Sequence, residues 1–219
     1  MTNHLTYLKL SRTIIDDESR VRKRVPMDSL LEACSEGNVV KVKILLAAGA
    51  DPGVRDVHSE RTPLHRAARH GHADVVNTLL AAGADRECRD DTQRTPLHYA
   101  AYCGRAEVVN SLLAAGADRE CWDDTKMTPL HYAARHGHAE VVSTLVDAGV
   151  DRDVQNINGN TPSHLAAQQG FVQDVYILLL KAGANMLIVN NDNKCAKDIA
   201  SVLFTSLTDA PTSQPTLTP

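Results

Sequence analysis

The chain is poor in most of what marks a secreted, membrane-spanning or catalytic protein. Its 219 residues hold no apolar run near the ~20 that one helix needs to cross a bilayer. Residues 1–24 lack an apolar core followed by a cleavage site, and no Asn-x-Ser/Thr sequon without proline occurs, so no secretory signal is expected. The five cysteines are odd in number and scattered, which excludes a disulfide scaffold and paired zinc ligands and suits a reducing cytosol or nucleus. Aromatic residues make up only 4% against 43% hydrophobic, a combination that suits thin layers built from Ala, Leu and Val. Formal net charge is −4, with no global excess of base for nucleic acid. There is no glycine-rich phosphate loop and no nucleophile elbow.

What is present is repetition. Thr95-Pro96-Leu97-His98-Tyr99-Ala100-Ala101, then Gly104, then Val108-Val109-Asn110-Ser111-Leu112-Leu113-Ala114-Ala115-Gly116-Ala117-Asp118, returns at steps of 33 residues. Thr62-Pro63-Leu64-His65 stands upstream; Thr128-Pro129-Leu130-His131 and Thr161-Pro162-Ser163-His164 stand downstream. Each copy predicts two short helices and a turn. Thr95 caps the first helix, and Pro96 fits its first position, where a missing N–H costs nothing. Leu97, Ala100 and Ala101 share one face, and Gly104 ends the helix. Val108, Val109, Leu112 and Leu113 give the second helix its buried face. Residues 118–127 run out and back as an extended excursion. One unit cannot cover its own apolar face, whereas three or more stacked copies can.

In these motifs the chain resembles an ankyrin-repeat protein, whose repeat has this period and a Thr-Pro-Leu-His-x-Ala signature. The resemblance covers roughly 27–207 and implies an all-α fold: a solenoid of stacked helix-turn-helix units with projecting β-hairpin fingers. The expected division is an N-terminal arm at 1–26, partly disordered; repeats at about 27–60, 61–93, 94–126, 127–159 and 160–193; a cap at 194–207; and a disordered Ser/Thr/Pro-rich tail at 208–219.

Each end departs from the pattern. The arm carries a basic cluster, Arg20, Arg22, Lys23 and Arg24, read either as a solvated run or as a nuclear-import signal. The first repeat lacks Thr-Pro, and Asp28 or Ser29 is expected to cap its helix. Its finger has one extra residue, since Asp51 to Thr62 is a step of 11 where Asp85 to Thr95 is 10. In the fifth repeat Ser163 replaces the core leucine. Gly170 to Gly183 is a step of 13 where Gly137 to Gly149 is 12, so one extra residue lies in or beside the second helix.

Three constellations look chemical. His70-Gly71-His72 and His136-Gly137-His138 resemble metal ligands, but two repeats separate them by about 20 Å. The family resemblance instead assigns His65, His98, His131 and His164 to an internal hydrogen-bonding ladder. Cys88 and Cys121 lie one repeat apart, beyond the ~7 Å limit for a disulfide. Cys103 falls at a groove position, where an accessible thiol is expected. Asp90-Asp91 and Asp123-Asp124 read as solvated finger tips rather than an acid–base pair. No catalytic residue, cofactor or metal site is assigned.

A recognition surface remains. The resemblance implies that partners meet the finger tips, the residue before Thr-Pro, and the two residues before the helix-ending glycine. Repeat two offers Arg61, Arg69 and His70; repeat three offers Asp91, Thr92, Arg94, Tyr102 and Cys103. Repeat four offers Asp124, Thr125, Met127, Arg135 and His136. Repeat five offers Ile157, Asn158, Asn160, Gln168 and Gln169. Arg66, Tyr99 and Tyr132 on the inner helices, and Trp122 on a finger, complete the set, which is rich in residue types that enrich interfaces. Trp122 has Arg89 as its equivalent, so the scaffold needs no ring there. Glu60, Gln93 and Lys126 replace the usual tip glycine, kept only at Gly159, which puts the standard geometry of three tips in question or marks them as shaped for a partner. Acidic fingers face basic inner helices, a pattern for a partner bearing both signs. The expected function is a non-enzymatic adaptor, monomeric alone, cytoplasmic or nuclear, holding a protein partner. The alternative is an inhibitor that occludes an enzyme.

Overall fold

The computed structural model describes residues 27–201; the arm at 1–26, the end of the cap beyond 201 and the tail lie outside them. Among the described residues α-helices alternate as α1 (Met27–Glu36), α2 (Val39–Ala47), α3 (Pro63–His70), α4 (Ala73–Ala81), α5 (Pro96–Tyr102), α6 (Ala106–Ala114), α7 (Pro129–Arg135), α8 (Ala139–Asp147), α9 (Pro162–Gln168) and α10 (Ile177–Lys181). A further helical turn begins at 196–201. Odd-numbered helices pack side by side as an inner layer, and even-numbered helices form an outer one. Asp28 and Ser29 lie within α1 rather than capping it.

The Thr-Pro entry sets each inner helix. Thr128 holds an extended conformation, with Pro129 at the first helical position. Its backbone N–H donates to His131 Nδ1 at 3.1 Å, and its hydroxyl accepts from the His131 N–H at 3.5 Å. Histidine thus performs the role that Glu performs in an ordinary capping box. The other ring nitrogen reaches forward. Nε2 of His65, His98, His131 and His164 donates to the carbonyls of Arg94, Met127, Asn160 and Lys194, at 2.9 to 3.0 Å. Donation at Nε2 fixes Nδ1 as the acceptor, so each ring is neutral and joins two copies. Burial holds His98 and His131 down to about 4.

Apolar packing follows the expected periodicity. Leu64, Leu97 and Leu130 are buried on the inner helices. Val75, Val76 and Leu79, with their equivalents in α6 and α8, are buried on the outer ones. Leu113 is only partly buried. Each fully buried leucine contributes about 2 kcal/mol of transfer free energy. Gly104, at φ +68, admits a side chain from the next repeat: a Cβ there would stand 2.6 Å from His138 Nδ1. His138 Nε2 in turn donates to the Tyr102 carbonyl at 3.0 Å.

The fingers are hairpins built from turns. Among the described residues the one β-bridge is Val189 with Cys195. At each finger an Asp or Asn closes the turn through Oδ1. Asp90 Oδ1 accepts the N–H groups of Thr92 and Arg94, both at 2.9 Å, and the Thr92 hydroxyl at 2.8 Å. Asp123, Asn156 and Asn190 repeat the motif. Adjacent fingers join through Asp91 N–H to the Ser59 carbonyl, Asp124 to Thr92, Ile157 to Thr125 and Asn191 to Asn158.

Two departures resolve physically. Glu60, Gln93 and Lys126 have φ of 52°, 61° and 56°, beside 71° at Gly159. The tip geometry in question is therefore kept without glycine, because the turn bonds impose the left-handed conformation on L-residues. The extra residue of the fifth repeat forms a π-helical segment, Val172–Tyr176, in which the Tyr176 N–H donates to the Phe171 carbonyl five residues back at 3.0 Å. Ser163 is buried, and its hydroxyl has no partner among the described residues.

Candidate partner-binding groove

The groove is floored by the C-terminal ends of α3, α5 and α7 and walled by the fingers. Asp90 and Asp123 are not the solvated tips that their loop positions predict, since each is 1% exposed. Oδ1 is occupied by the turn, and Oδ2 accepts the phenol of the next inner helix: Tyr99 donates to Asp90, and Tyr132 to Asp123, at 2.6 Å. Arg61 Nε lies 3.7 Å from Asp90 Oδ2, and Arg94 Nε 3.5 Å from Asp123 Oδ2. The same guanidiniums stack over the Tyr99 and Tyr132 rings, at 5.0 and 5.2 Å from the centroids. Burial alone would raise these two carboxyls. The phenol, threonine and backbone donors outweigh it and hold both below the usual carboxylate range.

The brace changes chemistry towards the ends. In the first interface Arg66, the equivalent of Tyr99, meets Asp56 at 3.1 Å. There burial opposes ionisation, but donors from Ser59, His58 and Arg66 bring Asp56 down to about 2. In the last repeat Asn156 and Leu165 replace Asp and Tyr, and the brace is lost. Sequence reasoning missed these carboxylates as organisers. The signal was available: an Asp at the same finger position, nine residues before a Tyr, in consecutive copies.

A cavity of about 350 Å³ opens between these braces. Arg61, Arg69, Arg94 and Arg135 line it, with Tyr99, Tyr102, Tyr132, His98 and His136. The structure thus brings together eight of the expected partner-facing residues. Their exposure differs from expectation, since Tyr99 and Tyr132 are almost buried, with their hydroxyls occupied. Tyr102 is 44% exposed; its ring lies 4.4 Å from that of His136 and 5.8 Å from that of Tyr132. Burial, then the neighbouring His138 and Arg135 charges, lower His136.

The remaining expected residues lie around this centre. Met127 is buried, a correction to its place on a recognition surface: its carbonyl accepts from His98 and its side chain fills the core. Thr92 is half-buried and Thr125 exposed, with both hydroxyls bonded to the finger aspartates. Arg66 is half-buried; Asp91 and Asp124 are exposed on the fingers. His70 is exposed and stacks on His72. Trp122 is 57% exposed, outside the cavity lining, with its carbonyl accepting from Arg89. Cys103 is half-buried, while Cys88 and Cys121 are buried free thiols beside the Thr62 and Thr95 hydroxyls.

Stacked two-helix layers of one pattern, with a groove along the finger side, define a repeat solenoid. The chain belongs to the ankyrin-repeat family: a model of ankyrin repeats in three copies matches residues 30–123 and again 106–190. Ankyrin repeats are protein-interaction modules. Individual relatives match over shorter stretches. Mouse 2-5A-dependent ribonuclease is 40% identical over 74 residues, 34% of this chain and 9% of that protein. Human histone-lysine N-methyltransferase EHMT1 is 34% identical over 79 residues, 35% of this chain and 6% of that protein. Human protein phosphatase 1 regulatory subunit 27 is 41% identical over 63 residues, 29% of this chain and 40% of that protein. The chain thus spans less than half the length of each. Among the described residues no helix is long and apolar enough to cross a membrane.

Proposed function

We propose that this chain is a non-enzymatic adaptor that holds a protein partner in the groove of repeats two to four. The observation that carries this reading is the convergence of Arg69, Tyr102, Arg135 and His136 on one open cavity, with Trp122 exposed on the neighbouring finger. Arg, Tyr and Trp dominate interface hot spots, and none of these side chains is needed to fill the stack. The free thiols suit the reducing conditions of cytoplasm or nucleus.

A second reading has one specific support. The relative named as a regulatory subunit of protein phosphatase 1 suggests that the same groove could occlude an enzyme. Both readings are tested by immobilising the chain, capturing a partner, and assaying the captured partner's activity. An adaptor leaves that activity intact, and an inhibitor suppresses it. Trp122→Ala combined with Arg135→Ala should abolish capture and leave the helical circular dichroism and the melt unchanged. Capture that persists in the double variant defeats the groove assignment.

A further inference from the structure

The charge of the cavity is more particular than an adaptor requires. Four guanidiniums line it and no carboxylate does. Arg61 and Arg94 are matched by Asp90 and Asp123 behind them. Arg69 and Arg135 form no ion pair among the described residues, which leaves two uncompensated charges at one small opening. The Nε–H groups of Arg61 and Arg94 are buried on the aspartate side, so it is Arg69 and Arg135 that leave charge free at the cavity.

The shape adds a second condition. At about 350 Å³ the cavity lies at the low end of ligand pockets, with room for one side chain rather than a folded segment. Its wall is aromatic: Tyr102 presents an accessible ring beside His136 and Tyr132. Outside the lining, Asp91 and Asp124 are exposed on the fingers. A long polyanion running along the fingers meets those carboxylates, whereas a single anion entering from the mouth avoids them.

We infer that the cavity receives a phosphorylated tyrosine side chain of the protein partner, with its ring against Tyr102 and its phosphate among the guanidiniums. This rests on the groove being the partner site, as proposed above. Phosphate carries about −1.5 to −2 at neutral pH, which matches two unpaired arginines better than one carboxylate does. Guanidinium forks are suited to its oxygens, and a flat ring stacks on an aromatic wall.

The test uses the full chain and fluorescein-labelled nine-residue peptide pools, randomised around a fixed phosphotyrosine, tyrosine or phosphoserine, with a single-stranded RNA 12-mer as a fourth probe. Fluorescence anisotropy should give the phosphotyrosine pool about tenfold or more tighter binding than the other three, a step of ~1.4 kcal/mol. Arg69→Gln with Arg135→Gln should remove that advantage without moving the melt, because neither side chain holds the fold. Equal binding of the tyrosine and phosphotyrosine pools overturns the inference. So does phosphoserine or RNA binding as tight as phosphotyrosine, or an advantage that survives the double variant. If a partner is captured through the groove equally well after phosphatase treatment, the phosphate inference falls and the adaptor reading stands. If nothing is captured through the groove, the adaptor reading itself falls.

Discussion

Mild acid should loosen the stack well before its carboxylates titrate. His98 and His131 are buried, neutral, and held down to about 4, against about 6.5 in the unfolded chain. A base whose folded pKa is depressed stabilises the fold above its unfolded pKa and loses that contribution as pH falls towards the folded value. The window is therefore pH 6.5 down to 4. At pH 5 each of these histidines has forfeited about 2 kcal/mol, so the pair removes roughly 4 kcal/mol from a total of order 5–15 kcal/mol. His65 and His164 are lowered by burial as well and act in the same direction. Asp56, at about 2, titrates below the window, and Asp90 and Asp123 are also lowered. Thermal melts at pH 7.5, 6.0 and 5.0 check this. At ~2–4 °C per kcal/mol for a domain of this size, the midpoint should drop by about 10 °C between the first and last. Long-range ¹H–¹⁵N correlation should show Nε2-protonated neutral rings throughout the folded range. A midpoint that stays constant from pH 7.5 to 5.0 would refute the claim that these rings are buried, neutral and joined to the next repeat.

Two further substitutions test packing and backbone. Leu97→Ala, at a position 1% exposed, should lower stability by roughly 2–5 kcal/mol in urea titration, and an unchanged midpoint would deny its burial. Lys126→Gly, at φ 56°, should raise stability by about 0.5–1 kcal/mol. Gly159→Ala should lower it, since a Cβ would stand 2.6 Å from Asn191 Oδ1 and 2.9 Å from its backbone nitrogen.

The stack was legible because its cause is local and repeated. Thr-Pro entries, an alanine face and paired valines each specify one helix, and the period brings their apolar faces together. Even the odd residue after Gly170 was countable, although only the backbone shows that it becomes a π turn. Tip conformation was not legible, because residue type at Glu60, Gln93 and Lys126 argues against the left-handed region that the turn bonds enforce. Nor was the fate of Asp90 and Asp123. A carboxylate on a loop reads as solvated until the phenol and guanidinium that meet it, from different repeats, are placed beside it. The arginines were chosen by position; that four of them share a cavity depends on packing across three copies.

One aspartate holding both a turn and the neighbouring helix has a consequence for how an encounter would proceed. Asp90 and Asp123 tie finger to floor, which favours a surface cast before anything arrives, as a mould rather than a hand. Docking should then be governed by collision and by ionic strength, with no slow rearrangement on the way in.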